Sequence, residues 1–109
     1  MAERVALGAF EHLVLATALR VEDGYGAELM RELEERTGRQ VQGGSLYVTL
    51  DRLERKGYLV SRMGDPSERR AGRPKRYVEA TPAGIRALSE QRDAFLRAWQ
   101  GIEQTLDHA

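Results

Sequence analysis

At 109 residues the chain has room for one small domain with a single core. Its 17 basic and 17 acidic side chains cancel, which argues against a generic polyanion binder, and the absence of cysteine excludes a disulfide framework or a thiolate zinc site. No apolar run approaches a membrane span and no signal-peptide pattern is present, so the expected compartment is the cytoplasm, with no membrane partner.

The first predicted helix runs from about Val5 to Val21. Its apolar residues, among them Leu7, Phe10, Leu13, Val14, Leu15 and Leu19, cover most of the circumference. A helix of that kind is buried on several sides, and in so small a domain this suggests a second subunit. His12 lies within it and His108 in the tail; neither has a metal-ligand spacing to a neighbour, so no metal site and no cofactor is expected. Glu22-Asp23-Gly24 is a turn signal, and Asp23 is placed to cap a second helix ending near Arg36, with Tyr25, Leu29, Met30 and Leu33 inward. Thr37-Gly38 ends it, and Gln40-Val41-Gln42 is a connector at most one strand wide.

The third helix is predicted over 45–56. Two glycines precede it, Ser45 is a candidate N-cap, and Gly57 supplies the left-handed residue that ends it. Leu46, Leu50 and Leu53 make one apolar stripe. Ser45, Val48, Thr49, Arg52 and Lys56 are expected on the other side, a slim face of hydroxyls and cations without an acid among those five. Such a face suits the major groove of DNA, although an ordinary amphipathic helix with a solvated side has the same pattern. A hairpin follows, with strands over Tyr58–Met63 and Arg76–Ala80. The loop between them holds Arg69, Arg70, Arg73 and Lys75, and with Arg76 five of the eight residues 69–76 are basic and none acidic. Residues 1–57 carry 8 basic and 10 acidic groups, 58–80 carry 6 and 3, and 81–109 carry 3 and 4. The positive excess is therefore confined to this hairpin, whose guanidinium forks fit phosphate oxygens.

Thr81-Pro82 opens the last helix as N-cap and N1. It is expected to run to about Asp107, roughly 39 Å. Ile85, Trp99 and Leu106 fall on heptad a positions and Leu88, Phe95 and Ile102 on d, with Arg92 the one break. Gly84 and Gly101 lower its helical propensity, so it needs outside support, and a dimer seam with Leu7 and Phe10 of the first helix is expected. Phe95 and Trp99, one turn apart, either line a slot for a flat hydrophobic ligand or form dimer core.

Helix, helix, recognition-like helix and basic hairpin make a mainly α fold, a winged helix-turn-helix over 1–80 with a dimerisation helix over 81–109. The sequence resembles the PadR family of transcriptional regulators, in its short branch with a single C-terminal helix. The resemblance spans Leu7 to Leu106. It is carried by Gly24-Tyr25-Gly26 and Leu29, by Gly44-Ser45-Leu46-Tyr47 with Leu50, Leu53 and Gly57, by Gly72-Arg73-Pro74-Lys75-Arg76-Tyr77, and by Thr81-Pro82-Ala83-Gly84. Val48 stands where many relatives have proline, and Phe95 where many have tryptophan. The resemblance implies a homodimeric repressor on double-stranded, palindromic DNA, with the third helix in the major groove and the hairpin on the backbone or in the minor groove; Ser45, Tyr47, Val48, Thr49 and Arg52 are the candidates to face the DNA. In some relatives a small aromatic or drug-like effector releases the DNA. The alternative is a winged-helix module that binds protein, which would tolerate acids or bulky apolar groups at 69–76. An enzyme is not expected: there is no cysteine, no acid orients either histidine, and no glycine-rich phosphate loop follows a strand.

Overall fold

The computed structural model describes residues 6–22, 24–65 and 75–109. They form α1 (Ala9–Arg20), β1 (Gly24–Tyr25), α2 (Gly26–Thr37), α3 (Gly43–Arg55), β2 (Leu59–Met63), β3 (Arg76–Ala80), α4 (Pro82–Trp99) and α5 (Glu103–Asp107). The three strands make one antiparallel sheet in the order β1-β3-β2. This is the expected winged helix-turn-helix with a helical extension. Leu15, Leu29, Leu33, Leu46, Leu50 and Leu53 of the first three helices are fully buried together, and Leu59 and Val78 of the sheet close the core. Each such burial stabilises by about 1.5–3 kcal/mol.

Helix ends follow local chemistry, and several differ from expectation. α1 starts at Ala9, not near Val5, which lies outside the described residues. The Gly8 N–H donates to Glu11 Oε1 at 2.6 Å, which fixes the first turn there. Asp23 also lies outside the described residues; Tyr25 holds the N-cap position of α2, with its N–H donating to Glu28 Oε1 at 3.4 Å. The connector over 40–42 forms no strand, and the Val41 N–H bonds to Glu34 Oε2 at 2.8 Å. α3 begins at Gly43 with Gln42 as N-cap, so Ser45 sits inside the first turn. Its far end matches the sequence reading. Gly57 has φ 79°, its N–H bonds to Glu54 O, and the Tyr58 N–H reaches back to Leu53 O, both at 2.9 Å.

The last helix departs most. α4 stops at Trp99, Gly101 takes φ 90°, and a separate short α5 follows, so the single helix expected over 82–107 is broken in two. The apolar period continues across the break, which hid it. α4 starts as expected: Thr81 Oγ1 accepts the Gly84 N–H at 3.0 Å. Beyond Gly84 no described residue of α4 or α5 is fully buried. The arm gives the chain extents of 53 × 39 × 21 Å and a radius of gyration of 15.8 Å, against about 13 Å for a compact chain of this length.

One ion pair ties α1 to the end of α3. Glu11 is 7% exposed, and Lys56 Nζ bonds to its Oε1 at 2.6 Å and to the Ala6 carbonyl at 2.8 Å. Burial alone would raise the Glu11 carboxyl. The bonds from Lys56 and the Gly8 N–H, with the charges of Lys56 and Arg52, outweigh it and hold the group below its ordinary 4.5. A carboxyl lowered by folding stabilises above its unfolded pKa and ceases to as pH falls through its folded one. Glu11→Gln should therefore cost about 1.5–3 kcal/mol at pH 7. The gap to wild type should close as pH drops below 4.5. Urea unfolding at neutral and acid pH measures this, and a gap that does not change with pH would contradict it.

Candidate nucleic-acid interface

α3 buries Leu46, Thr49, Leu50 and Leu53. Thr49 is 4% exposed and its hydroxyl donates to the Ser45 carbonyl at 2.8 Å. The expectation that Thr49 faces outward is thus corrected: satisfied by its own helix, the hydroxyl can be buried. Lys56 is likewise off the outer face, held on Glu11. The inward face is centred between the leucines and Thr49, so the outward stripe is Gly44, Val48, Asp51 and Arg55, all exposed, with Ser45 and Arg52 along one side and Tyr47 along the other. Of the residues expected to act here, Ser45, Tyr47, Val48 and Arg52 come together on this surface. Gly44, Asp51 and Arg55 join them and were missed, although counting Thr49 as apolar would have found them.

Gly44 has open space where a side chain would sit, so packing within the chain does not require glycine there. Gly26 is the opposite case. A Cβ on it would collide with the hydroxyl and ring of Tyr47, which lies across the start of α2 while its exposed side meets the outer face.

In the hairpin, Arg69, Arg70 and Arg73 lie outside the described residues. Lys75 and Arg76 are described, and strand alternation sends them to opposite faces. Arg76 turns onto α3 and is 18% exposed at its side chain, with Nη1 2.9 Å from Asp51 Oδ1 and Nη2 2.9 Å from Glu54 Oε2. The Ser61 hydroxyl bonds to the other oxygen of Glu54. Arg76 is therefore corrected from a free cation of the loop to a clamp between β3 and α3. On the other face, Lys75 Nζ lies 4.4 Å over the Tyr25 ring, Tyr25 meets Tyr77 edge-on at 5.9 Å, and Arg62 lies 4.4 Å over Tyr77. This ladder crosses all three strands and fixes the root of the hairpin to the start of α2. Arg62 was missed because it stands alone in a β-rich run.

The residues expected at a subunit seam divide. Leu7 is corrected: at 6% exposed it is buried in its own chain's core. Phe10 and Leu88 are half-buried and pack on that core. Phe10 also borders an open groove of about 470 Å³ with residues 39–42 and Ser45. Ile85, Phe95, Trp99, Ile102 and Leu106 are 45–53% exposed, as is Leu96, which the heptad reading left out. Phe95 lies 5.6 Å from the His12 ring, and His12 Nδ1 bonds to Gln91 Oε1. Gln91 Nε2 in turn donates to the Leu7 carbonyl at 2.8 Å, so this cluster joins the arm to α1. Among the described residues no group of His, Asp and Glu could hold a metal, and no helix is long and apolar enough to cross a membrane.

The clamp is testable apart from any ligand. Arg76→Ala leaves Asp51 and Glu54 facing each other unpaired and should cost about 1–3 kcal/mol, with earlier loss of amide protection in β3 than in α2. Arg76→Lys should recover less than half of this, since an ammonium cannot span both carboxylates as the fork does. Full stability in Arg76→Ala would mean that the pairs contribute nothing.

The profile described as the Transcriptional regulator PadR-like family matches residues 14–90. The chain is 49% identical over 73 residues to Transcriptional regulator Rv3488 of Mycobacterium tuberculosis, a match covering 65% of this chain and 62% of that protein. The chain thus spans less than two thirds of that relative's length. In structure it is similar to a PadR family transcription regulator from Clostridium difficile R20291, with a TM-score of 0.75 at 23% identity over 91% of this chain and 99% of the other. It is also similar to a transcriptional regulator from Clostridium thermocellum, with a TM-score of 0.71 at 22% identity over 86% and 89%. At these identities the two structures establish the fold alone.

Proposed function

The chain belongs to the PadR-like family of transcriptional regulators, and from that premise we propose that it is a homodimeric repressor that binds a palindromic site on double-stranded DNA. α3 enters the major groove with Ser45, Tyr47, Val48 and Arg52 toward the bases and adjoining phosphates. The hairpin, with Arg69, Arg70, Arg73 and Lys75, follows the backbone. α4 and α5 join the subunits through Phe95, Leu96, Trp99, Ile102 and Leu106. Residues 1–80 are the reading head and 81–109 the dimerisation arm, whose exposed Phe95 and Trp99 give a flat hydrophobic effector a surface to stack on.

The observation that carries this reading is the outward face of α3. The helix is anchored by four buried residues, yet its most exposed stripe begins with a glycine that nothing in the chain requires. Glycine early in a helix lowers stability relative to alanine, so its use there is explained by a surface outside the chain that approaches closely. Gly44→Ala should therefore raise stability by up to about 1 kcal/mol and weaken DNA binding at the same time. Thermal unfolding and fluorescence anisotropy with a DNA fragment selected by the wild-type protein measure the two effects. A more stable variant with unchanged affinity would remove α3's first turn from the contact.

The arm carries a separate expectation. Trp99 is 53% exposed in the single chain, and a carboxylate at that place in a two-fold seam would be desolvated facing its own copy. Trp99→Asp should sediment as a monomer, keep its fold in the reading head, and bind a half site as wild type does. It should lose tight binding to the full site, which needs two helices about 34–36 Å apart. A variant that stays dimeric with full-site affinity intact would place the seam elsewhere.

A further inference from the structure

The outward stripe of α3 contains one acid, and a carboxylate facing a phosphate backbone is repelled by it. Asp51 nevertheless occupies the middle of that stripe, one turn from Val48 and one from Arg55. The clamp uses only one of the two Asp51 oxygens. Arg76 is already held by Glu54 Oε2 at 2.9 Å, and Glu54 is fixed from its other side by the Ser61 hydroxyl. Arg76 gives its second nitrogen to Asp51 Oδ1 at 2.9 Å, which offsets the charge of Asp51 and fixes its direction. The Asp51 side chain nonetheless remains 57% exposed, so a group outside the chain can reach it. Arg52 and Arg55 beside it further lower the local negative potential.

We propose that Asp51 is a specificity-determining residue that accepts a hydrogen bond from a cytosine N4 amine in each half of the DNA site, with Arg76 positioning it. The inference rests on the DNA-binding reading above. A carboxylate can only accept, so of the major-groove edges it can pair with amines alone. The N6 amine of adenine stands next to the N7 lone pair, which repels a second carboxylate oxygen. On its own ring the N4 amine of cytosine has only C5–H beside it, and cytosine is therefore the base selected. An acid held in this way also works by exclusion, because a guanine or thymine carbonyl at the same position is repelled.

Selection of bound fragments from random DNA, followed by titration of duplexes differing at single positions at fixed salt, tests the assignment. The wild-type protein, Asp51→Ala and Asp51→Asn are compared. Wild type should select a palindrome with one position per half site where replacing cytosine weakens binding roughly 10- to 100-fold. Asp51→Ala should lose preference at that position and keep it at the others. Asp51→Asn, nearly the same shape and a second variant should alanine disturb the fold, should change the preferred base there to adenine, whose N6 and N7 an amide matches. If both variants keep the wild-type preference at every position, the proposal is overturned, whatever their overall affinity. A uniform gain or loss would mean that Asp51 acts only through its charge. If wild type itself selects no motif, the DNA-binding reading fails and this inference with it, a result distinct from a wild-type motif that survives in the variants.

Discussion

Everything that gives this protein its shape meets at one short turn. Gly57, in a left-handed conformation, ends α3 and reverses the chain into β2. The carbonyl of the next residue, Tyr58, accepts the Thr81 N–H at 3.1 Å, and the Thr81 hydroxyl donates to the Gly57 carbonyl at 2.7 Å. Gly84 lies so close to that Tyr58 carbonyl that a Cβ would overlap it. The end of α3, the root of the hairpin and the start of the arm are thus one hydrogen-bonded knot. Its parts cannot be changed singly. A side chain at Gly57 would have to adopt a positive φ, and one at Gly84 would push the start of α4 off the Tyr58 backbone. The angle between the arm and α3 is therefore set within a few residues.

Charge is handled with the same economy. A chain with no net charge gains little from non-specific attraction to a polyanion, so the placement of each cation matters more. Two of the cations nearest α3 are not spent on the outer surface. Lys56 is fixed on Glu11 and Arg76 on Asp51 and Glu54, and both pairings join α3 to a different element. On α3 itself the outer surface keeps Arg52 and Arg55 toward one end and a glycine with a serine at the other, with Val48 and Asp51 between.

How much of this could be read in the sequence depended on whether the signal was local. Gly57 after a cationic turn, Thr81-Pro82 at a helix start and the strand over 76–80 were legible because each is fixed by its own residues. β1 was not, since a two-residue strand has no period and exists only through Gly24 and Tyr25 pairing with Val78 and Tyr77. Ser45 looked like a cap, but the depth at which Leu46 enters the core sets the helix frame and gives that place to Gln42. Thr49 was sorted outward by polarity, whereas a hydroxyl that bonds its own helix is nearly neutral in the core. Arg76 was read as part of a single basic run, and alternation along β3 turned it from its neighbours. Gly101 was weighed as a weak helix former within a seam whose apolar period carried on past it.

The arm shows what a single chain leaves unfinished. α4 is joined to the reading head at its start by the Thr81 knot and midway by Gln91, which bonds both His12 and the Leu7 carbonyl. From there on it presents Phe95, Leu96 and Trp99 to solvent, and α5 presents Leu106. Gly101 in its left-handed conformation turns the chain between them, with its N–H held by Glu103 Oε2 at 2.9 Å. The part of α4 beyond Gln91 has no buried face and little reason to persist by itself. Two fixed points within ten residues are enough to aim α4, however, and the aim is what a partner copy would use. In the proposed dimer, the separation of the two α3 helices would follow from the direction in which α4 leaves the head. That direction is held by Ala83, Ala87 and Leu88 packed on the core and, beyond them, by a glutamine between a histidine and a carbonyl, polar groups that exchange partners at small cost compared with the leucine core. The polar part of the link between arm and head therefore lies beside Phe95, whose ring is 5.6 Å from that of His12.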